Sequence, residues 1–282
     1  MNKIRCIWND FFHNFFSKRL LTFCIFQFSI LHYYISTVKR FSFAAAYPAS
    51  PWILPFIGQN VYCLFVYGIS VVYFYSNIPF TQNYEMYALL RQGRKRWMFT
   101  KILRIVLSSV ALSIIEMIFS IIMLLPHLEW TAEWGKLYNS LAMTNAGSEY
   151  NVKMFFSYEL INENNAITTL LIFLAVMCIV TSLTGIFMFA VSIWINRMVA
   201  VLAGSFLAIL PVVFANLYLY QEWISFVSPF SWLNLLLVYG KVCQNSPSLT
   251  WITVVSISSA VVFCLISFIG IQKKEINWTE EE

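Results

Sequence analysis

Glu116 is the residue whose position most needs a chemical explanation. It lies near the middle of an apolar run, between Ile115 and Met117. A carboxylate at the centre of a membrane helix costs about 2.5–3.5 kcal/mol even on the lenient insertion scale, so it must face a partner, a cavity or the interior of a bundle. Two roles meet that requirement. One is a protonated or hydrogen-bonded glutamate that stabilises helix packing, and the other is a polar group lining a transport pathway. His32 lies at comparable depth in the first apolar run and is the expected hydrogen-bond partner, which makes Glu116 and His32 the candidate pathway pair. Gln27, Asn60 and Asn216 are the other polar groups set among apolar neighbours.

Other chemistries lack their residues. There is no GxxxxGK[ST] sequence, so the chain carries no phosphate-cradling loop of its own. HExxH, GxSxG and a clustered Cys/His metal set are also missing, and the three histidines are far apart, so no catalytic or metal-binding residue is expected. The six cysteines, Cys6, Cys24, Cys63, Cys178, Cys243 and Cys264, form no CxxC. Only Cys243 is expected on the outer face, which leaves it no disulfide partner within the chain.

The elements that must position Glu116 are membrane helices. Of 282 residues, 60% are hydrophobic and only 11% are charged, and the mean hydropathy is +0.70. A soluble domain is about 45–50% apolar and about 25% charged. A chain this poor in charge cannot cover a water-facing surface, so lipid must be the solvent for much of it. The 26 Phe, 15 Tyr and 10 Trp suit lipid-facing surfaces and interfacial belts. Six segments have the roughly 20 apolar residues needed to span: 20–37, 52–76, 102–125, 167–195, 199–219 and 251–271. The fourth and fifth are joined by Asn196–Arg197–Met198 and form an antiparallel hairpin. The expected fold is an all-α, six-span transmembrane domain covering residues 1–282.

Basic residues orient it. One set of loops holds thirteen Lys and Arg, from Lys3 and Arg5 to Lys273 and Lys274, and the other holds only Lys39, Arg40, Lys136, Lys153 and Lys241. The positive-inside rule places both termini and the 77–101 loop in the cytosol. Lys39 and Arg40 run against it. The basic residues lie at membrane borders, and the net charge of +5 suggests no nucleic-acid partner. Residues 1–17 read as an amphipathic helix in the headgroup plane, with Ile7, Trp8, Phe11, Phe12, Phe15 and Phe16 on one stripe, and not as a cleavable signal.

The 77–101 loop contains a predicted short helix, Thr81–Gln92, stopped by Gly93 and followed by the basic run Arg94–Arg96. Residues 221–240 are apolar and aromatic but broken at Ser228–Pro229, which fits a re-entrant helical hairpin from the outer face. The outer segment 126–166 is too long for a connector. It carries Trp130, Trp134, Tyr138 and Phe156 and is expected to lie on the membrane surface or form a small cap.

This order of parts resembles the permease subunit of an ATP-binding cassette (ABC) transporter of the ABC-2 type, the type V exporter fold. In that family an interfacial elbow helix precedes six spans, a cytosolic coupling helix lies between spans two and three, and a re-entrant pair lies between spans five and six. Residues 1–17 correspond to the elbow and 77–101 to the coupling loop, and Ser228–Pro229–Phe230–Ser231–Trp232 is similar to the re-entrant segment. Tyr87–Ala88–Leu89–Leu90–Arg91–Gln92–Gly93–Arg94, followed by Trp97 and Lys101, resembles the family's second cytosolic loop. The long 126–166 segment departs from the family's usually short third-to-fourth connection.

The resemblance implies a bacterial multi-pass cell-membrane protein that is not itself an enzyme. ATP and Mg would bind a partner ATPase, present in two copies, and a second permease chain would complete the pathway as a homodimer or heterodimer. The coupling helix would offer Tyr84, Tyr87, Leu90 and Arg91 to the ATPase. Membrane lipid is the remaining partner, and a hydrophobic or amphipathic substrate (drug, antimicrobial peptide or lipid) would be exported. Two other classes remain open. A secondary transporter would use Glu116 as its proton site, and a membrane scaffold or immunity protein would have no pathway.

Overall fold

The computed structural model describes residues 15, 17–78, 93–217, 222–240, 242 and 245–273. In chain order the helices are α1 Lys18–Ala45, α2 Leu54–Ile57, α3 Val61–Tyr75, α4 Arg94–Leu124, α5 Gly135–Met143, α6 Ala146–Glu149, α7 Tyr158–Glu163, α8 Ala166–Trp194, α9 Arg197–Leu217 and α10 Ile224–Val227. A 3-10 turn, Pro229–Leu233, then leads to α11 Leu235–Val238 and α12 Leu249–Lys273. Among the described residues there is no strand, only an isolated bridge between Ala49 and Leu128. Helices α1, α4, α8, α9 and α12 are each long and apolar enough to cross a membrane. The chain is therefore an all-helical, multi-pass membrane protein. That follows from the lipid environment, where helices satisfy their own backbone groups.

Helix α3 packs most extensively on α9, and α8 packs against α12, α4 and α9, while α1 lies across α3 and α4. Small residues allow the closest approach: a Cβ on Gly68 of α3 would lie 2.8 Å from the Cβ of Ala208 on α9. On α4 the residues Val106, Val110, Ile114, Ile118 and Ile122 are exposed at every fourth position, an apolar stripe suited to lipid. The α8–α9 hairpin forms as its short turn requires, with Asn196 accepting from the Val199 backbone to cap α9.

Three segments differ from the sequence-based boundaries, and one of them is α4, which begins at Arg94, eight residues before 102. Helix α1 runs on to Ala45, eight residues beyond 37, so Lys39 and Arg40 lie in the helix and not in a loop. Lys39 donates to the Leu125 carbonyl just beyond the end of α4, which gives this cation a structural role at that helix end. The expected continuous span 52–76 is broken into α2 and the 15-residue α3. The break has a local cause. Asn60 turns back to accept from the backbones of Tyr62 and Cys63 and so starts a new helix. It is an N-cap, and not a polar group facing a pathway.

Residues 126–165 fold into α5, α6 and α7 over the 46–59 segment. Phe56 meets Trp134, Tyr138 and Phe156 at ring-centroid distances of 5.0, 5.7 and 4.7 Å, and Tyr138 stacks on Phe156 at 5.3 Å. Their polar handles are bonded: Tyr138 donates to the Ser50 carbonyl at 2.6 Å, and Trp134 Nε1 donates to the Asn164 carbonyl at 2.8 Å. Burial pushes the Tyr138 phenol above its usual range. The cap also holds α1, through Phe41 against Tyr150 and the Lys153 ammonium over the Tyr33 ring.

Candidate functional site

The buried face of α4 is a polar seam. Lys101, Arg104, Ser108, Ser109, Ser113, Glu116 and Ser120 are all buried, at the three- and four-residue steps that keep them on one side of the helix. From Lys101 to Ser120 the seam is about 28 Å long at 1.5 Å per residue, close to the thickness of the hydrocarbon core. The seam meets buried hydroxyls on α8, where Thr169, Thr181 and Thr184 lie inside the bundle.

Three of the seam's hydroxyls are satisfied locally. Ser109, Ser113 and Ser120 each donate to a carbonyl one turn back on α4. Ser113 also accepts from Cys178 of α8 at 3.3 Å. Thr181 donates to the Met177 carbonyl at 2.7 Å, so in its 2.7 Å contact with Tyr67 of α3 it is the acceptor and Tyr67 the donor. These bonds hold the hydroxyls against their own helices, which gives the seam polarity without strong demands on a neighbour.

Glu116 has no such local bond on one of its oxygens. It is 2% exposed, and its Oε1 has no hydrogen-bond partner in the structure. Gln27 of α1 is likewise 2% exposed, with its Nε2 unpartnered. Both line one cavity of about 30 Å³, walled otherwise by mostly apolar groups, among them Leu31, Ile57, Phe173 and Leu233, together with Gly58, Cys63 and Tyr67. The cavity lies where two broken elements meet. A Cβ on Gly58, between α2 and α3, would fall 2.6 Å from the carbonyl oxygen of Leu233 at the end of the 3-10 turn. Glycine is what allows that approach.

His32 is not brought to Glu116. It lies on the exposed face of α1, while Gln27, Leu31, Tyr34 and Ile35 face inward. Five residues of helix turn His32 roughly 140° from Gln27, so equal depth did not mean a shared face. Asn216 is also exposed and donates back to Val212 of its own helix. Tyr84, Tyr87, Leu90 and Arg91 lie outside the described residues, as does residues 1–17 apart from Phe15 and Ser17. Phe15 is buried, with its ring 5.8 Å from that of Phe74 on α3.

A second group of contacts gathers where the 77–101 loop leaves and rejoins the bundle. Arg19 donates to Ser76 Oγ at 2.7 Å, and Arg197 donates through Nε to the Ser76 carbonyl at 2.7 Å. After the loop, Arg94 donates to the carbonyls of Ile271 and Gln272 at 3.2 and 3.1 Å, near the end of α12. Guanidinium donors suit carbonyls that a helix end leaves unpaired. Sequence reading took Arg19 and Arg197 as orientation signals and Arg94 as part of the loop motif, although their place beside helix termini was visible. No family model matches the chain, and neither does any curated protein or solved structure. Among the described residues no cluster of His, Cys, Asp and Glu could hold a metal ion.

Proposed function

We propose that this chain is the membrane permease subunit of an ABC transporter of the ABC-2 type, driven by a separate cytosolic ATPase. The observation that carries the reading is the clamping of both ends of the 77–101 loop. Ser76 is held by Arg19 of α1 and Arg197 of α9, and Arg94 is held to the end of α12. A loop that passes force from an ATPase must be stiffly tied to the spans it moves, and this one is tied to spans on both sides. The buried seam on α4 supports a transport role because it sets polar groups through a bundle that lipid alone would not require.

In this reading α2 and α3 together make the second of six crossings. Residues 221–240 form a re-entrant segment from the outer face, and both termini are in the cytosol of a bacterial cell membrane. The three short helical pieces from Ile224 to Val238 favour that reading because none is long enough to span alone. ATP hydrolysis with Mg belongs to two partner subunits and not to this chain. A second permease chain completes the pathway, and the substrate is hydrophobic or amphipathic.

The test is truncation of Tyr84, Tyr87 and Leu90 together to Ala. The expected result is a folded protein that binds the ATPase weakly or hydrolyses ATP without transport, read by copurification and by transport in reconstituted vesicles. Full partner binding with full ATP-driven transport would make the loop a simple anchor and end this assignment.

A further inference from the structure

Gln27 and Glu116 present complementary hydrogen-bonding atoms to one small space without bonding to each other. Gln27 Nε2 is a donor on α1, Glu116 Oε1 is an acceptor on α4, and each is 2% exposed and unpartnered. Leaving such atoms unpaired inside a bundle costs the desolvation of each, more where the group is charged. Two groups on different helices with the same deficit, facing one cavity, point to a shared ligand.

The size and walls of the cavity define that ligand. A volume of about 30 Å³ exceeds the roughly 10–15 Å³ that one water needs and leaves no room for an organic molecule. A water both accepts and donates, so it can take the Gln27 N–H and give a hydrogen to Glu116. It satisfies the pair in either orientation of the Gln27 amide. Of the remaining wall side chains only Tyr67 and Cys63 carry polar atoms, and the Tyr67 hydroxyl is already bonded to Thr181, so the Gln27–Glu116 pair is where a water is best held.

We propose that the Gln27–Glu116 cavity is a binding site for one structural water that bridges α1 to α4. The site does not depend on the ABC reading. It sits at the meeting point of Gly58 and Leu233, so the water hydrates the α4 seam beneath the break between α2 and α3.

Radiolytic hydroxyl labelling of the full-length protein in lipid nanodiscs tests this, because internal water generates radicals beside the side chains that it touches. Met177 and Cys63 line the cavity, whereas Met188, on the same helix as Met177, does not. All three are buried, at 3%, 5% and 0% exposed. Met177 and Cys63 should be oxidised rapidly and Met188 should not. In the Gln27→Met, Glu116→Met double variant, which removes both bridging atoms, oxidation at Met177 should fall to the Met188 level. Equal oxidation of Met177 and Met188 in the unaltered protein would overturn the proposal without need of any variant. Undiminished labelling of Met177 in a folded double variant would overturn it too. Transport and ATPase binding enter neither readout, so this test can fail while the permease assignment stands, and the reverse.

Discussion

The 126–165 cap and the Gln27–Glu116 cavity both border α2 but treat their polar groups in opposite ways. In the cap, Phe56 joins an aromatic cluster whose Tyr and Trp handles all find backbone acceptors, and Ser50 and Trp52 add bonds to Trp134 and Thr131. In the cavity, bordered by Leu54 and Ile57, a carboxylate oxygen and an amide nitrogen have no protein partner. Water could have satisfied the cap from outside, whereas lipid could not satisfy the cavity. The better-bonded region is thus the one with less need of internal bonds. A polar pair kept unbonded at membrane depth has no packing justification, since an apolar pair would fill the same space at lower cost.

The largest effect that sharpens this contrast lies in the cap. Tyr138→Phe removes the donor to the buried Ser50 carbonyl and should cost about 1–3 kcal/mol. Thermal unfolding in detergent micelles, followed by Trp fluorescence, would read the loss. The same variant carries a pH signature. Burial raises the folded-state pKa of Tyr138 above its unfolded value, so its contribution is complete below about pH 10 and is lost as pH rises towards the folded value. The unaltered protein should lose stability above about pH 10, and Tyr138→Phe should lose less over the same range. An identical alkaline decline in both would mean that Tyr138 is not the titrating group.

The smallest effect is expected in the cavity. Replacing both bridging residues, as Gln27→Met with Glu116→Met, swaps an orphaned donor and acceptor for apolar groups of similar reach. That exchange should change unfolding stability by about 1 kcal/mol or less, because the pair is removed together. A loss comparable with Tyr138→Phe would show that the cavity is a structural keystone like the cap, and the contrast between the two regions would collapse.

Much of the fold was legible because hydropathy reports depth. The apolar runs at 102–125, 167–195 and 251–271 became α4, α8 and α12 with end shifts of a few residues, except that α4 begins at Arg94. Depth also marked Glu116 correctly as a buried group. What the sequence did not show was direction around each helix, which depends on neighbours that only the folded bundle supplies. His32 and Gln27 lie a turn and a half apart, and only the packing of α1 on α3 and α4 decides which faces Glu116. Asn60 misled for a related reason. An Asn amid apolar residues can serve as a pathway group or as an N-cap, and the nearby Pro55 and Gly58 were the signals favouring a break. Lys39 opposed the charge rule because it has a specific acceptor at the end of α4.

The central claim is that this chain works with an ATPase it does not itself contain. Isolation of the tagged protein from its native membrane in mild detergent, with assay of the purified complex for ATP hydrolysis, addresses that claim most directly. The account predicts a distinct nucleotide-binding subunit in stoichiometric amounts, with Mg-dependent hydrolysis that the permease chain alone does not show. A chain that purifies without any ATPase, yet moves substrate in vesicles under a proton gradient alone, would contradict the account and make Glu116 the centre of a secondary transporter.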